Sequence, residues 1–426
     1  MKSLCQYPAQ YPTMKYDVIV LGAGMVGISC ALHLQRKGRS VAVLDRRAPG
    51  LETSYGNAGL IQREAEPYAL PRDPGFLLCG ALNQRIDVRY HPGAVLHQAG
   101  ALFSYFQHSA PATYRKIARE YETLIAHCLD THAELMDAAN ARHLIAPTQG
   151  YLTAFRSARA LHKGFQRADA RAQDGVRHIK LDAAALARLE PSLQKTFVGA
   201  VQWTDPIAIL NPGELVQTYA RLFEQQGGAV RLGDAMTLTR HIDAWQVRTV
   251  DGNTLTGTDV LIALGPWTLN LTAKFGYKPP MFIKRGYHMH YARLEDRPLN
   301  HWIMDAEKGY VVCPMQEGIR LTTGAEVAHV DAPRTPGQLA AAEAVARATF
   351  PLGTRLNPQP WVGARPCMPD MKPVFGAVPG QSQLWCAFGH AHQGFTLGPI
   401  TGELLAAQMT GETPRVDMTP FSPARF

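Results

Sequence analysis

Tyr16-Asp17-Val18-Ile19-Val20-Leu21-Gly22-Ala23-Gly24-Met25-Val26-Gly27, continued as far as Asp45, decides how this chain folds. The apolar run Val18-Ile19-Val20-Leu21 reads as a strand and ends in three glycines at G-x-G-x-x-G spacing. A helical pattern follows to Gly38, and a second β-like run, Val41-Ala42-Val43-Leu44, closes on Asp45. Strand, glycine turn, helix and strand within roughly thirty residues is the order a dinucleotide-binding unit requires. Gly22 permits the tight turn, Gly24 lets backbone approach a pyrophosphate, and Gly27 lets the helix lie close on the strand. The pyrophosphate would rest on the helix start near Ala23, Met25 and Val26, where the first N–H groups lack partners. Asp45 is placed to accept hydrogen bonds from an adenosine ribose. The motif assigns an adenine dinucleotide without deciding which one.

Directly after Asp45 come Arg46 and a turn, then Thr53-Ser54-Tyr55-Gly56-Asn57-Ala58-Gly59-Leu60. Serine, asparagine and two glycines give a loop whose backbone can point N–H groups inward. Its position makes it a cofactor-cradling loop, to which Ser54, Gly56, Asn57, Ala58, Gly59 and Leu60 contribute. Much later, Asp259-Val260-Leu261-Ile262-Ala263-Leu264-Gly265 is an apolar run suited to a buried central strand, with Trp267 close behind. Dinucleotide-domain character therefore returns after an insertion. The expected architecture is α/β: a discontinuous Rossmann-like domain (14–62, 195–272 and 362–426) carrying an inserted β-rich α+β substrate domain (63–194 and 273–361).

Within the insertion, residues 63–93 read as irregular. A long helical stretch follows Pro111, with Ile117, Tyr121, Leu124, Ile125, Cys128, Leu135 and Met136 at three-to-four spacing. Asn211 and Pro212 open another helix. Tyr287, Met289 and Tyr291 share one face of a strand, with His288 and His290 on the other. No third ligand is spaced to make that histidine pair a metal site, so no metal is expected.

At 426 residues the chain can bury a large core; it is 46% hydrophobic and 18% charged. The formal charge of +8 suits anionic ligands or an anionic membrane surface, and equally a solvated basic exterior. Basic residues do not cluster with interleaved aromatics, so no nucleic-acid partner is expected. Seven scattered cysteines without a C-x-x-C pair argue for a reducing, cytoplasmic compartment. No apolar span reaches the ~20 residues that cross a bilayer. Peripheral contact with the inner face of the cell membrane is an added expectation from the charge. Residues 1–13 read as a disordered lead-in, with Met14 as an alternative start.

Two late segments carry further chemistry: Trp361-Val362-Gly363-Ala364-Arg365-Pro366, and Phe388-Gly389-His390-Ala391-His392-Gln393-Gly394-Phe395-Thr396, leading into a small-residue helix from Pro399. Gly389 and Gly394 bracket a strand-to-helix loop, a second helix N-terminus with exposed donors. A flavin gains negative charge on reduction and benefits from donors aimed at its ring, which a nicotinamide enzyme does not need.

With these elements together, the chain resembles the FAD-dependent D-amino-acid oxidase superfamily, within it the bacterial D-amino-acid dehydrogenases and their glycine-oxidase and glyphosate-oxidoreductase relatives. The resemblance runs from about Tyr16 to Phe426. It rests on the glycine fingerprint with Asp45, the Ser54–Gly59 loop, Ala263, Gly265 and Trp267, the Gly363-x-Arg365-Pro366 motif, the loop Gly389, His390, Gln393, Gly394, Phe395 and Thr396, and the closing Phe421 and Arg425-Phe426. Leu264 stands where relatives commonly have a second alanine before the glycine. The resemblance implies bound FAD and an amino-acid substrate whose carboxylate is held by Arg365, which also lies against the cofactor. It further implies a pocket tyrosine at Tyr310 and a second carboxylate or side-chain contact at Arg285. Tyr287 and His392 are weaker candidates, His392 through its backbone carbonyl toward the substrate amine. The implied reaction is oxidative deamination of a D-amino acid, a proline derivative included, by hydride transfer from Cα to flavin N5. Electrons would pass to a quinone or a partner protein. The alternative is an oxygen-using oxidase of glycine, sarcosine or another N-substituted glycine.

Overall fold

The computed structural model describes residues 13–426; apart from Thr13, the lead-in expected over residues 1–13 lies outside the described residues. Thr13–Leu21 is the centre of the first sheet, parallel to Val41–Asp45 on one side and to Thr254–Ile262 on the other. Ala229–Leu232 extends the sheet beyond Val41–Asp45, and Leu384–Phe388 pairs in parallel with the end of Thr254–Ile262. Val18 and Val20 pack into one core while Ile19 and Leu21 pack into another, so the central strand is buried on both faces. That explains its unbroken apolar run. Helices Met25–Arg36, Pro212–Gln225 and Gly394–Met409 bury their apolar stripes in the first of these cores. Asn211 caps the second helix by accepting from the Glu214 N–H at 3.1 Å, with Pro212 in the first turn as the sequence predicts.

The second sheet is built around the long strand Phe282–Tyr291. Trp361–Cys367 runs antiparallel along one edge of it, and Gly318–Thr322 and Ala325–Val327 along the other. Tyr310–Met315, Trp302–Asp305, Tyr151–Phe155, Gly199–Trp203 and His178–Asp182 continue the sheet in that order. Helix Gly337–Arg347 packs Leu339, Ala342 and Ala346 on one face.

Several details differ from the sequence reading. Residues 63–93 hold a helix, Pro74–Ala81, capped by Asp73 accepting from the Phe76 N–H, and a short strand, Val88–Tyr90. The stretch after Pro111 is two helices, Pro111–Ile125 and Cys128–Ala138. Tyr121, Leu124, Cys128, Leu135 and Met136 join the core that holds the fingerprint helix, beside Gly394–Met409, rather than the core of the second sheet. Conversely, Gly199–Trp203 and Trp361–Cys367, at or within the edges of segments expected in the nucleotide domain, are strands of the second sheet. The last long helix begins at Gly394 and holds Pro399 inside it. No helix among the described residues is long and apolar enough to cross a membrane.

Candidate active site

One cavity of about 970 Å³ runs from the glycine fingerprint to Arg365, between the two sheets. At its first end Gly22 has φ +113°, and a Cβ there would sit 2.4 Å from the Ala263 carbonyl oxygen. A Cβ on Gly27 would sit 1.9 Å from the Gly22 oxygen, so helix and strand meet only through glycine. Gly24 caps the helix without a side chain, and the Met25 N–H donates to Ser54 Oγ at 3.0 Å. Asp45 accepts from the Ala23 N–H at 2.6 Å and from the Arg47 N–H at 3.1 Å, bracing the turn, and lines the cavity beside it. Arg46 pairs with Glu52 at 2.8 Å and lies 4.1 Å over the Trp267 ring.

The cradling loop is fixed mainly by side chains from the second sheet. Asn57 Oδ1 accepts from the Gly59 N–H at 2.8 Å, and the Trp302 indole donates to the Ala58 carbonyl at 2.7 Å. Arg320, buried and missed in the sequence reading, donates from Nη1 to the carbonyls of Tyr55 (3.0 Å) and Asn57 (2.6 Å) and from Nε to His290 at 3.0 Å. Trp361 fills the space left by Gly56 and Gly363, where a Cβ would fall 1.8 and 2.0 Å from its ring, and it stacks on His288 at 4.8 Å. Burial holds both His288 and His290 neutral by pushing their pKa values down.

Behind the closing loop, His390 shares a 3.0 Å hydrogen bond with Thr401, and burial depresses its pKa to about 3. Thr396 Oγ1 donates to the Leu60 carbonyl at 3.3 Å, tying this loop to the cradling one. The Gln393 amide donates to Gln62 at 2.9 Å; Gln62 and Tyr151 both donate to Glu64 Oε1 at 2.8 Å. Glu64 is buried on the cavity wall, and desolvation raises its pKa. Ala23, Gly27, Gly59, Gly389 and Thr396 do not line the cavity; they support residues that do.

Pro399 cannot donate to the Phe395 carbonyl, its partner four residues back, and its ring pushes that carbonyl outward. His132 Nε2 takes the vacated place, donating to the Phe395 oxygen at 2.8 Å. A fully buried histidine from another helix thus completes the first turns of the helix behind Gln393.

At the other end, the Arg365 guanidinium lies over Gly286, whose missing Cβ would sit 2.3 Å from Nη2. Nη1 donates to the Gly324 carbonyl at 2.7 Å, and no carboxylate pairs with Arg365 among the described residues. His392 faces the open cavity, where desolvation by the surrounding protein, then the charges of Arg365 and Lys284, act against its protonated form.

Two predicted contacts are elsewhere. Arg285 points to the opposite face of its strand, where it pairs with Glu326 at 2.7 Å and donates to the Pro333 carbonyl at 2.9 Å. Tyr310 is also turned away from the cavity, sharing a 2.9 Å hydrogen bond with Thr349 and accepting from Arg156 at 3.3 Å. Alternation along a strand explains both: Arg285 shares a face with Tyr287, Met289 and Tyr291, whereas Lys284 and Gly286 face the cleft. His288 and His290 are buried farther along that side, against Trp361 and Arg320. On the other strand it is Val311, next to Tyr310, that lines the cavity. Tyr287 borders the cavity, yet its hydroxyl is committed to Glu326 at 2.9 Å. Lys284, not Arg285, is the cation beside Arg365.

Residues 17–408 match the family described as FAD dependent oxidoreductase, DAO. The chain belongs to this family. It is 26% identical to a D-amino acid dehydrogenase of Chromohalobacter salexigens over 96% of this chain and 99% of that protein. It is 27% identical to a D-amino-acid oxidase of Bradyrhizobium diazoefficiens over 96% of this chain and 98% of that one. The glycine oxidase structure from Geobacillus kaustophilus superposes with a TM-score of 0.73 at 19% identity, covering 97% of this chain and 99% of that one.

As an FAD-dependent oxidoreductase, the chain presents residues that fit the cofactor. The glycine contacts at 22 and 27 bring backbone to the cavity wall where a pyrophosphate needs it. Gln393 Oε1 is a buried acceptor on the same wall with no partner among the described residues, open to a ligand N–H. Among the described residues no three His, Cys, Asp or Glu side chains converge as metal ligands would.

Proposed function

We propose that this enzyme oxidises a D-amino acid at its C–N bond, giving an imine that water hydrolyses to a keto acid and ammonia. Bound FAD supplies the two-electron acceptor for the hydride leaving Cα. The observation that carries the reading is Arg365: a guanidinium without a carboxylate partner, on the wall of the same cavity that the cofactor fingerprint opens into. Its unused N–H donors suit a carboxylate, and a charge-assisted bond there contributes roughly 1.5–3 kcal/mol. The Gly324 carbonyl, with the flat surface of Gly286 beneath, holds the guanidinium so that little ordering cost falls on binding. His392, on the cavity wall with Arg365, offers its main-chain carbonyl to the substrate amine. Hydride loss needs that amine uncharged, so orientation and charge complementarity outweigh a strong base.

The D hand follows the names of the relatives, and electrons leave to a quinone or another non-oxygen acceptor, reached by peripheral contact with the membrane. An anaerobic screen of D- and L-amino acids for bleaching of the flavin tests the reading: D-amino acids bleach it and L-amino acids do not. Arg365→Ala should retain flavin and raise KM at least tenfold, and unaltered substrate kinetics would remove Arg365 from the carboxylate role. Peroxide formed at the rate of turnover would replace the quinone acceptor by oxygen.

A further inference from the structure

Lys284 and Arg365 are directly opposed across the antiparallel pair formed by Phe282–Tyr291 and Trp361–Cys367. Residues so opposed have Cβ atoms about 4.5–5.5 Å apart on one face, and here that face is the cavity wall. Two cations therefore stand side by side in the cleft. Among the described residues no carboxylate pairs with either cation, and acids of the neighbouring walls are committed elsewhere. Asp87 is held by Arg85 through two contacts of 2.8 Å, Glu326 pairs with Arg285 behind the strand, and Glu64 accepts from Tyr151 and Gln62.

The Lys284 ammonium is instead surrounded by rings. It lies 4.3 Å from the Tyr105 ring centre, 5.3 Å from Phe282 and 5.6 Å from Tyr68, and donates to Tyr105 Oη at 3.1 Å. Cation–π contacts contribute about 0.5–2 kcal/mol but neutralise nothing. With one N–H on Tyr105, two ammonium donors are unspent. Desolvation, followed by the charge of Arg365, acts against the protonated form, which an anion in the cleft would restore.

A substrate with one carboxylate satisfies Arg365 and leaves Lys284 unbalanced. We propose that Lys284, with the aromatic walls of Tyr105, Phe282 and Tyr68, selects dicarboxylic amino acids, binding their second carboxylate while Arg365 binds the first. This rests on the amino-acid reading above for turnover, though not for binding. The second carboxylate can sit on the side chain or on the nitrogen substituent, and Lys284 recognises the same group in either.

The test compares acid and uncharged partners on the holoenzyme: D-glutamate with D-glutamine, D-aspartate with D-asparagine, and iminodiacetate with sarcosine. The acid member of at least one pair should have the higher kcat/KM by about 10- to 100-fold, and which pair responds locates the second carboxylate. Lys284→Met should bring the members of that pair together. In parallel, glutarate and its monoamide are titrated against the flavin absorbance of wild type, Lys284→Met and Lys284→Gln. Glutarate should bind at least tenfold more tightly than the monoamide to wild type only. Equal kcat/KM within every pair, or variants that weaken glutarate and monoamide alike, would overturn the proposal. Should no amino acid bleach the flavin, the amino-acid reading fails, while the glutarate titration still decides the role of Lys284. Variants are compared at equal flavin content, so loss of fold is not read as loss of selectivity.

Discussion

His132→Leu tests whether the closing helix depends on a borrowed hydrogen bond. Pro399 leaves the Phe395 carbonyl without its helical partner, and His132 donates to it at 2.8 Å. Leucine nearly fills the volume but leaves a buried acceptor unsatisfied, which costs about 1–3 kcal/mol. The long 3.4 Å contact of the other ring nitrogen with Tyr219 adds little. The cost should depend on pH. Burial lowers the His132 pKa from 6.5 to about 4, so between those values the unfolded chain binds a proton that the folded chain does not. Stability then falls as pH falls. At about 1.4 kcal/mol per pH unit, wild type loses about 2 kcal/mol through this one residue between pH 7 and pH 5. Leucine does not titrate, so the penalty measured at pH 7 should shrink or vanish at pH 5. Pro399→Ala restores an N–H four residues beyond Phe395; in that background His132→Leu should cost clearly less, a coupling typical of residues sharing one partner. Denaturant midpoints of the holoenzyme and its variants at both pH values read all of this. Equal penalties with and without Pro399, or a penalty independent of pH, would refute the reasoning.

Three more perturbations address other parts of the molecule. Gly27→Ala forces a Cβ to 1.9 Å from the Gly22 carbonyl and should yield protein that folds but purifies largely colourless, measured as flavin absorbance per chain. Arg320→Met removes the donors to the Tyr55 and Asn57 carbonyls and should weaken FAD about tenfold or more, read by flavin fluorescence on dilution; unchanged retention would make the loop self-supporting. Glu326→Ala strands the Arg285 charge in the core and should cost about 3–5 kcal/mol of stability with substrate KM near wild type. A raised KM at full stability would instead return Arg285 to the substrate.

The fingerprint end of the candidate site was legible because its information is local: turn, helix start and Asp45 lie within one βαβ unit, and spacing alone orders them. The substrate half was legible only in part. Arg365, singled out through its motif, does line the cavity, but Arg285 and Lys284 are neighbours with the same charge, and only the facing of the strand separates them. That facing was within reach, since the alternation that set His288 and His290 apart from Tyr287 and Met289 also sets Lys284 and Gly286 apart from Arg285. Tyr310 fell to the same ambiguity: on its strand the next residue, Val311, lines the cavity instead. Arg320 and His132 gave no signal at all, because each acts on a main-chain carbonyl brought to it by tertiary packing. The helices after Pro111 showed which face they bury, but amphipathicity does not say against what, and they joined the fingerprint core.

The ion pair behind the strand has a consequence for the cleft in front of it. Arg285 and Glu326 are opposed in register on neighbouring strands, as Lys284 and Arg365 are on the other edge. Sliding Phe282–Tyr291 by a single residue would carry Arg285 into the cleft, pull Lys284 into the core and set Tyr287 where Gly286 makes room for Arg365. Such a slip would also tear the Arg285–Glu326 pair apart inside an apolar layer, where each unpaired charge is heavily penalised. The pair therefore works as an alignment pin: a contact behind the strand fixes which two cations line the cavity in front of it.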